Sequence, residues 1–319
     1  MSTPLILNNY NSQPSSIIDA NRLIVIGDVH GDIERLLNML QTINIFSNTL
    51  EWIAEPKDTI IIRLGDQIDS LSRRLDESPD KANWEKYSDV EVLELMDKLD
   101  RIAQNASNGK GRVLSLIGNH EIMNTQHIFN YVSQKSMTLS GGENIRAQLF
   151  TPGNKYATIL SKRNIITKIG PFLFCHGGIL PQHLNCVYNN FDTINKCMQK
   201  YLRGNEQLTI EEMYVINEVI FHGEFGILWL RKYVELAEHQ PIILEQLIDD
   251  ICKKTDTMVL FVGHNTMENI KRSANGKLYF TDAGFSRAYS MHDDYVEVIE
   301  VKKHEQTYNV ETLRVYLTL

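Results

Sequence analysis

The sequence predicts an α+β fold, a mixed sheet or sandwich with helices packed against it, and three observations carry that expectation. Short apolar runs with strand character recur along the chain, and each ends in glycine and polar residues. Stretches with helical spacing lie between them, and two alternating runs close the chain.

The first twenty residues, rich in Asn, Ser and Pro, read as a loosely attached segment, and 21–319 as a single domain without repeats or a long linker. MSTPLILNNYNSQPSS has no basic start and only a short apolar stretch, so it does not read as a signal peptide. The strand-like runs are LIVIG (23–27), TIIIRLG (59–65), RVLSLIG (112–118), FLFCHGG (172–178), MVLFVGH (258–264) and LYFTDAG (278–284). Ile33, Leu36, Leu37, Leu40 and Ile43 recur at steps of three and four, as do Val92, Leu95, Met96, Leu99 and Ile102, so each set predicts the buried face of a helix. SLSRRLDESPDKANWEKY (70–87) is polar, contains a proline and reads as an inserted loop. YVEVIEVKK (295–303) and TYNVETLRVYLTL (307–319) alternate as two antiparallel strands do.

Composition narrows the function. Lys and Arg total 32 against 40 Asp and Glu, a net charge of −8, which disfavours nucleic acid and anionic membranes as partners. Four cysteines without CxxC spacing exclude a disulfide framework and a thiolate zinc site, and point to a reducing, cytoplasmic setting. No run approaches the roughly 18 apolar residues of a membrane span.

The strand ends carry the chemistry: Asp28 and His30 in GDVHGD, Asp66 and Asp69 in GDQIDS, Asn119 and His120 in GNHE, His176 in CHGG, and His264 in VGHN. Oxygen and imidazole donors without sulfur suit Mn, Fe or Zn. Alternate residues of an extended segment point the same way, so Asp28 and His30 can reach one ion while Val29 turns to the core. Each motif alone has an ordinary explanation. Asp32 reads as the cap of the helix that starts near Ile33, and a lone His176 or His264 is more often a hydrogen-bonded core histidine. Together they would have to place eight donors at separate strand ends with no common purpose.

This arrangement resembles the calcineurin-like metallophosphoesterases and, within them, the phosphoprotein phosphatases, whose GDxHG, GDxxDRG, GNHE, HGG and later GH signatures stand here in order between residues 27 and 264. Residues 150–183, FGILWLR (225–231) and FTDAGFSRAY (280–289) are similar to the bacterial-type, Shewanella-like branch. One position departs: the arginine that follows the second aspartate of GDxxDRG is Ser70 here. The resemblance implies a four-layer fold, a central β-sandwich between helices. It implies two divalent or trivalent ions, manganese first with iron or zinc as alternatives, Asp28 and His30 on one, Asn119, His176 and His264 on the other, and Asp66 bridging. A metal-activated water would attack a phosphate ester of a phosphoprotein or phosphopeptide while His120, oriented by Asp69, protonates the leaving oxygen. Glu121 would support the turn. Arg231 is the first candidate for holding phosphate, with Arg73 or Arg74 replacing the arginine missing at Ser70, and Arg146 and Arg287 behind them. Trp229 and Tyr289 read first as packing residues, Tyr289 with the substrate groove as its second reading. Two other functions fit the same motifs: hydrolysis of nucleotides or diadenosine polyphosphates, and a catalytically silent scaffold.

Overall fold

The computed structural model describes residues 12–73, 84–290 and 292–318. Its strands are β1 (Ser16–Ile17), β2 (Arg22–Ile26), β3 (Ile60–Arg63), β4 (Arg112–Ser115), β5 (Ile166–Ile169), β6 (Phe172–Cys175), β7 (Val259–Val262), β8 (Lys271–Ser273), β9 (Leu278–Phe280), β10 (Tyr295–His304) and β11 (Thr307–Tyr316). They form a six-stranded sheet ordered β1-β5-β6-β7-β9-β8 and a five-stranded sheet ordered β11-β10-β2-β3-β4. Both are mixed. β2, β3 and β4 run parallel with β10 antiparallel beside β2, and β6, β7 and β9 run parallel between antiparallel neighbours.

Strand alternation divides the apolar residues between two faces of each sheet. Leu23, Val25, Ile60, Ile62 and Leu114 of one sheet share a cluster with Phe172, Phe174, Phe261 and Tyr279 of the other. The rings of Phe174 and Phe261 stack there at 5.1 Å. The intervening residues, such as Ile24, Ile61 and Val113 or Leu173 and Leu260, turn the other way and join a helical cluster. That cluster takes Leu36, Met39 and Leu40 from the helix Ile33–Thr42 and Met96 and Leu99 from Glu91–Ala106, and Ile194, Met198, Leu244 and Ile248 from Phe191–Arg203 and Pro241–Thr255. Two sheets face each other, therefore, with helices on their outer sides. Asp32 caps its helix as expected, accepting from the Arg35 N–H at 3.2 Å.

Three strands escaped the periodicity reading. β1 and β8 have two and three residues, and β5 is ITKI, a partly polar run of four. β1 falls within the segment 1–20 that the sequence reads as loose. Ser16 and Ile17 pair with Lys168 and Ile169, and the Asn164 amide donates to the Pro14 carbonyl at 2.9 Å, so the chain is tied to the sheet there. Residues 1–11 lie outside the described ones, as does most of the polar insert at 70–87. No described helix is long and apolar enough to cross a membrane.

Candidate metal centre

β2, β3 and β4 of one sheet and β6, β7 and β9 of the other lead directly into the polar segments named above, and those segments meet. The backbone joins them: Val29 and His30 donate to the Asp66 carbonyl at 3.0 and 3.1 Å, and Gly263 donates to the His176 carbonyl at 2.8 Å. Asp28, His30, Asp66, Asn119, His120, His176 and His264 are all buried. Ligand atoms of His30, Asp66 and His120 lie within 4.8 Å of one another, as do those of Asp66, His176 and His264. Asp66 belongs to both groups. Asp28 lies beside the second set, its Oδ1 3.9 Å from His176 Nδ1, and its Oδ2 accepts the His264 N–H at 2.9 Å.

The donors converge in a way that asks for a cation. His176 Nδ1 faces the Leu64 carbonyl at 2.8 Å, which places a proton on Nδ1, and its Nε2 meets two oxygens, Asn119 Oδ1 at 2.8 Å and Asp66 Oδ2 at 3.2 Å. Burial alone would lower this imidazole, but the charge and bond of Asp66 raise it above the ordinary value. His264 Nδ1 also meets Asn119 Oδ1, at 3.0 Å. Asp28 Oδ1 and His264 Nε2 are buried and have no hydrogen-bond partner among the described residues. Burial, with the charges of Asp282 and Asp66, pushes the Asp28 carboxyl well above its usual range. Burial and the neighbouring His176 push His264 down to about 3, a neutral imidazole that can ligate. Burial, His120 and Arg73 likewise hold His30 well below its ordinary value, while its Nδ1 meets the Ile68 carbonyl at 3.0 Å. A buried, partly orphaned set of oxygens and imidazole nitrogens fits metal ions with nitrogen and oxygen preference.

His120 is built differently. Its Nδ1 donates to Asp69 Oδ2 at 2.7 Å, which leaves Nε2 facing the open pocket, 3.7 Å from Asp66 Oδ2 and 3.4 Å from Arg73 Nη2. Burial alone would lower this imidazole, but the charge of Asp66 and the bond and charge of Asp69 raise it above the ordinary value. Glu121 binds backbone: its carboxylate accepts N–H groups of Gly118 at 2.7 Å, Gln67 at 2.7 Å and Asp66 at 3.0 Å, locking the loop after β3 to the loop after β4.

Asp28, His30, Asp66, Asn119, His120 and His264 line a pocket of 220 Å³ together with Arg73, Tyr131, Trp229, Arg231, Asp282 and Tyr289. Arg73 lies between the Tyr131 and Tyr289 rings, 4.2 Å from each centroid, so a residue three positions beyond Ser70 brings a guanidinium to the pocket. Ser70 itself donates to the buried carboxylate of Glu85, which also accepts from Ser133 at 2.8 Å. Arg231 is exposed at the rim, 3.5 Å from Asn265 Oδ1. Arg287 is bound to Asp32 and Glu34 instead. Arg74 lies outside the described residues. Arg146 requires a correction: it is fully buried and spends its guanidinium on Asn124, Asp89 and Asp69, so it does not face the pocket as a phosphate contact must.

Sequence reasoning missed Tyr131 and Asp282, and put Trp229 in the packing. Asp282 had a signal, because FTDAG closes β9 with the same acid-and-glycine chemistry as the other strand ends. It is buried, accepts from Thr266 Oγ1 at 2.6 Å, and burial raises its carboxyl. His30, Asp66, Asp69 and His264 adopt φ of 42°, 42°, 70° and 63°, a left-handed conformation uncommon for residues with a Cβ. Left-handed backbone held at four chemical positions is a feature that functional sites share.

Gly118 shows how tightly the carboxylate is seated. Its φ of −105° is open to any residue, yet a Cβ there would stand 2.2 Å from Asp66 Oδ1 and 2.4 Å from the Asp66 nitrogen. Gly118→Ala is expected to lower stability by about 1–3 kcal/mol and to reduce bound metal by displacing Asp66. Thermal unfolding and metal analysis of the variant check both effects.

The family model for calcineurin-like phosphoesterases matches residues 21–278. Shewanella-like protein phosphatase 2 of Arabidopsis thaliana is 24% identical, covering 88% of this chain and 75% of its own length. Shewanella-like protein phosphatase 1 of Plasmodium berghei is also 24% identical, over 93% of this chain and 76% of its own. Among solved structures, a cold-active protein-tyrosine phosphatase of a psychrophilic Shewanella species superposes with a TM-score of 0.71 at 20% identity, covering 96% of this chain and 83% of that one. The two-sheet architecture described above is the fold of that structure.

Proposed function

The chain belongs to the calcineurin-like phosphoesterase family, and from that premise we propose that it hydrolyses phosphate monoesters on the side chains of phosphoproteins. The observation that carries the proposal is the juxtaposition of a buried donor cluster with His120, whose Nε2 faces the pocket while Nδ1 is held by Asp69 at 2.7 Å. Asp28, His30 and Asp66 would hold one cation, and Asp66, Asn119, His176 and His264 the other. Two such ions, manganese first with iron or zinc as alternatives, supply positive charge for the phosphate and lower the pKa of water. His120 gives its proton from Nε2 to the departing oxygen, and Asp69 keeps the ring oriented for that transfer. Arg73 and Arg231 take phosphate oxygens from the pocket wall, and a guanidinium suits this because its fork matches two oxygens.

Protein phosphatase names on relatives that align along most of this chain support a phosphoprotein substrate over a nucleotide. The Tyr131, Trp229 and Tyr289 rings at the pocket favour testing phosphotyrosine beside phosphoserine and phosphothreonine. Four free thiols support a reducing, cytoplasmic setting. Metal-reconstituted protein is expected to release phosphate from phosphopeptides and to leave diadenosine tetraphosphate uncut. The opposite preference would move the assignment to dinucleotide hydrolysis, and inactivity toward p-nitrophenyl phosphate with Mn, Fe and Zn would leave a binding scaffold.

A further inference from the structure

We propose that Arg146, acting with Asn124 and Asp89, is the positioning residue for the His120–Asp69 pair. The inference rests on the phosphatase reading, in which His120 is the acid. Arg146 projects from the helix Glu143–Phe150, 77 residues from Asp69 in the chain, and is fully buried. Its fork closes on Asp89, with Nη1 donating to Oδ1 at 2.7 Å and Nη2 to Oδ2 at 2.9 Å. Nη2 also reaches Asp69 Oδ1 at 3.2 Å, and Nε donates to Asn124 Oδ1 at 2.7 Å. The Asn124 amide passes the constraint on, donating to Asp69 Oδ1 and to the His120 carbonyl, both at 2.9 Å. The Asp69 N–H in turn donates to Asp89 Oδ2 at 2.7 Å.

Asp69 is thus gripped through its backbone and one carboxylate oxygen, and the other oxygen is left for His120 Nδ1. The charges fit that purpose. Asp69 and Asp89 bring two negative charges, and Arg146 places its own positive charge between them. Taking three charges out of water is costly unless geometry repays it, and here the geometry repays it by fixing one lone pair opposite one imidazole N–H. Removing Arg146 would leave two carboxylates sharing backbone and amide donors without their cation, and Asp69 would be free to turn from His120.

Arg146→Lys keeps the charge but loses the fork, and Asn124→Ala removes the bridge while leaving the ion pair. Each variant is expected to lose about tenfold more kcat on phenyl phosphate than on p-nitrophenyl phosphate, because a displaced acid matters most for a poor leaving group. KM and metal content should stay at wild-type values. Asn124→Ala carries the test if the lysine variant fails to fold. Equal losses on the two esters, unchanged kcat in a folded variant, or a fall in bound metal would each overturn the positioning role. Wild-type protein inactive on both esters would end the phosphatase reading and this inference with it, whereas an active wild type with leaving-group-independent variants would end this inference alone.

Discussion

Replacing His120 with asparagine is expected to lower turnover by about two to four orders of magnitude while leaving bound metal unchanged. The imidazole has two separate tasks on its two nitrogens. Nδ1 is bound to Asp69 Oδ2 at 2.7 Å, so the proton available for transfer is the one on Nε2. An asparagine amide can keep a hydrogen bond to Asp69, but it has no proton to give at neutral pH, so the fold survives and the acid is lost. His120 nonetheless forms, with His30 and Asp66, a group whose ligand atoms lie within 4.8 Å of one another, and a ligand role would produce a different result. Metal analysis separates the two: an acid leaves the ions in place, whereas a ligand takes one away. Kinetics separate them again. Loss of an acid should fall most heavily on alkyl phosphates and lightly on p-nitrophenyl phosphate, and an equal loss on both would count against the assignment.

Much of this site can be read from sequence because the fold delivers it through local rules. A parallel strand ends, a glycine lets the backbone turn, and the next residue presents its side chain at the sheet edge. Asp28, Asp66, Asn119, His176 and His264 all sit one or a few residues past an apolar run, so their gathering follows from any packing that aligns those edges. What connects the site laterally is not local. Arg146 looked like one more cation available to phosphate, and only the packing of its helix behind the loop after β4 turns it toward Asp69 and Asp89. Arg73 was visible as a substitute for the arginine absent at Ser70, but its seat between Tyr131 and Tyr289 depends on residues 58 and 216 positions further along. The sheet order was hidden for the same reason. β5 pairs with β6 through a two-residue turn but also holds β1, some 150 residues earlier, and nothing in ITKI specifies that partner.

Asp66→Asn is expected to abolish activity by removing metal, and the orientation of the new side chain explains why the loss should exceed that of one charge. Asp66 Oδ1 accepts the His120 backbone N–H at 3.0 Å, so an asparagine must keep its carbonyl oxygen there. Its NH2 then occupies the position of Oδ2, 3.2 Å from His176 Nε2 and on the side shared by both histidine groups. Two N–H donors would point where lone pairs now converge, and His176 Nε2 would be capped by a hydrogen bond instead of being free to ligate. In the proposed two-ion centre both cations would lose a ligand at once, since Asp66 is the carboxylate common to the two groups. The scaffold has little stake in the exchange, because Glu121 still clamps the Asp66 and Gln67 backbone N–H groups at 3.0 and 2.7 Å. The expected variant is therefore folded, with a melting temperature near that of the metal-free wild type, and depleted in metal after dialysis against buffer. Wild-type metal stoichiometry in folded Asp66→Asn protein would show that Asp66 does not bridge, and the pairing of ions around it would have to be abandoned.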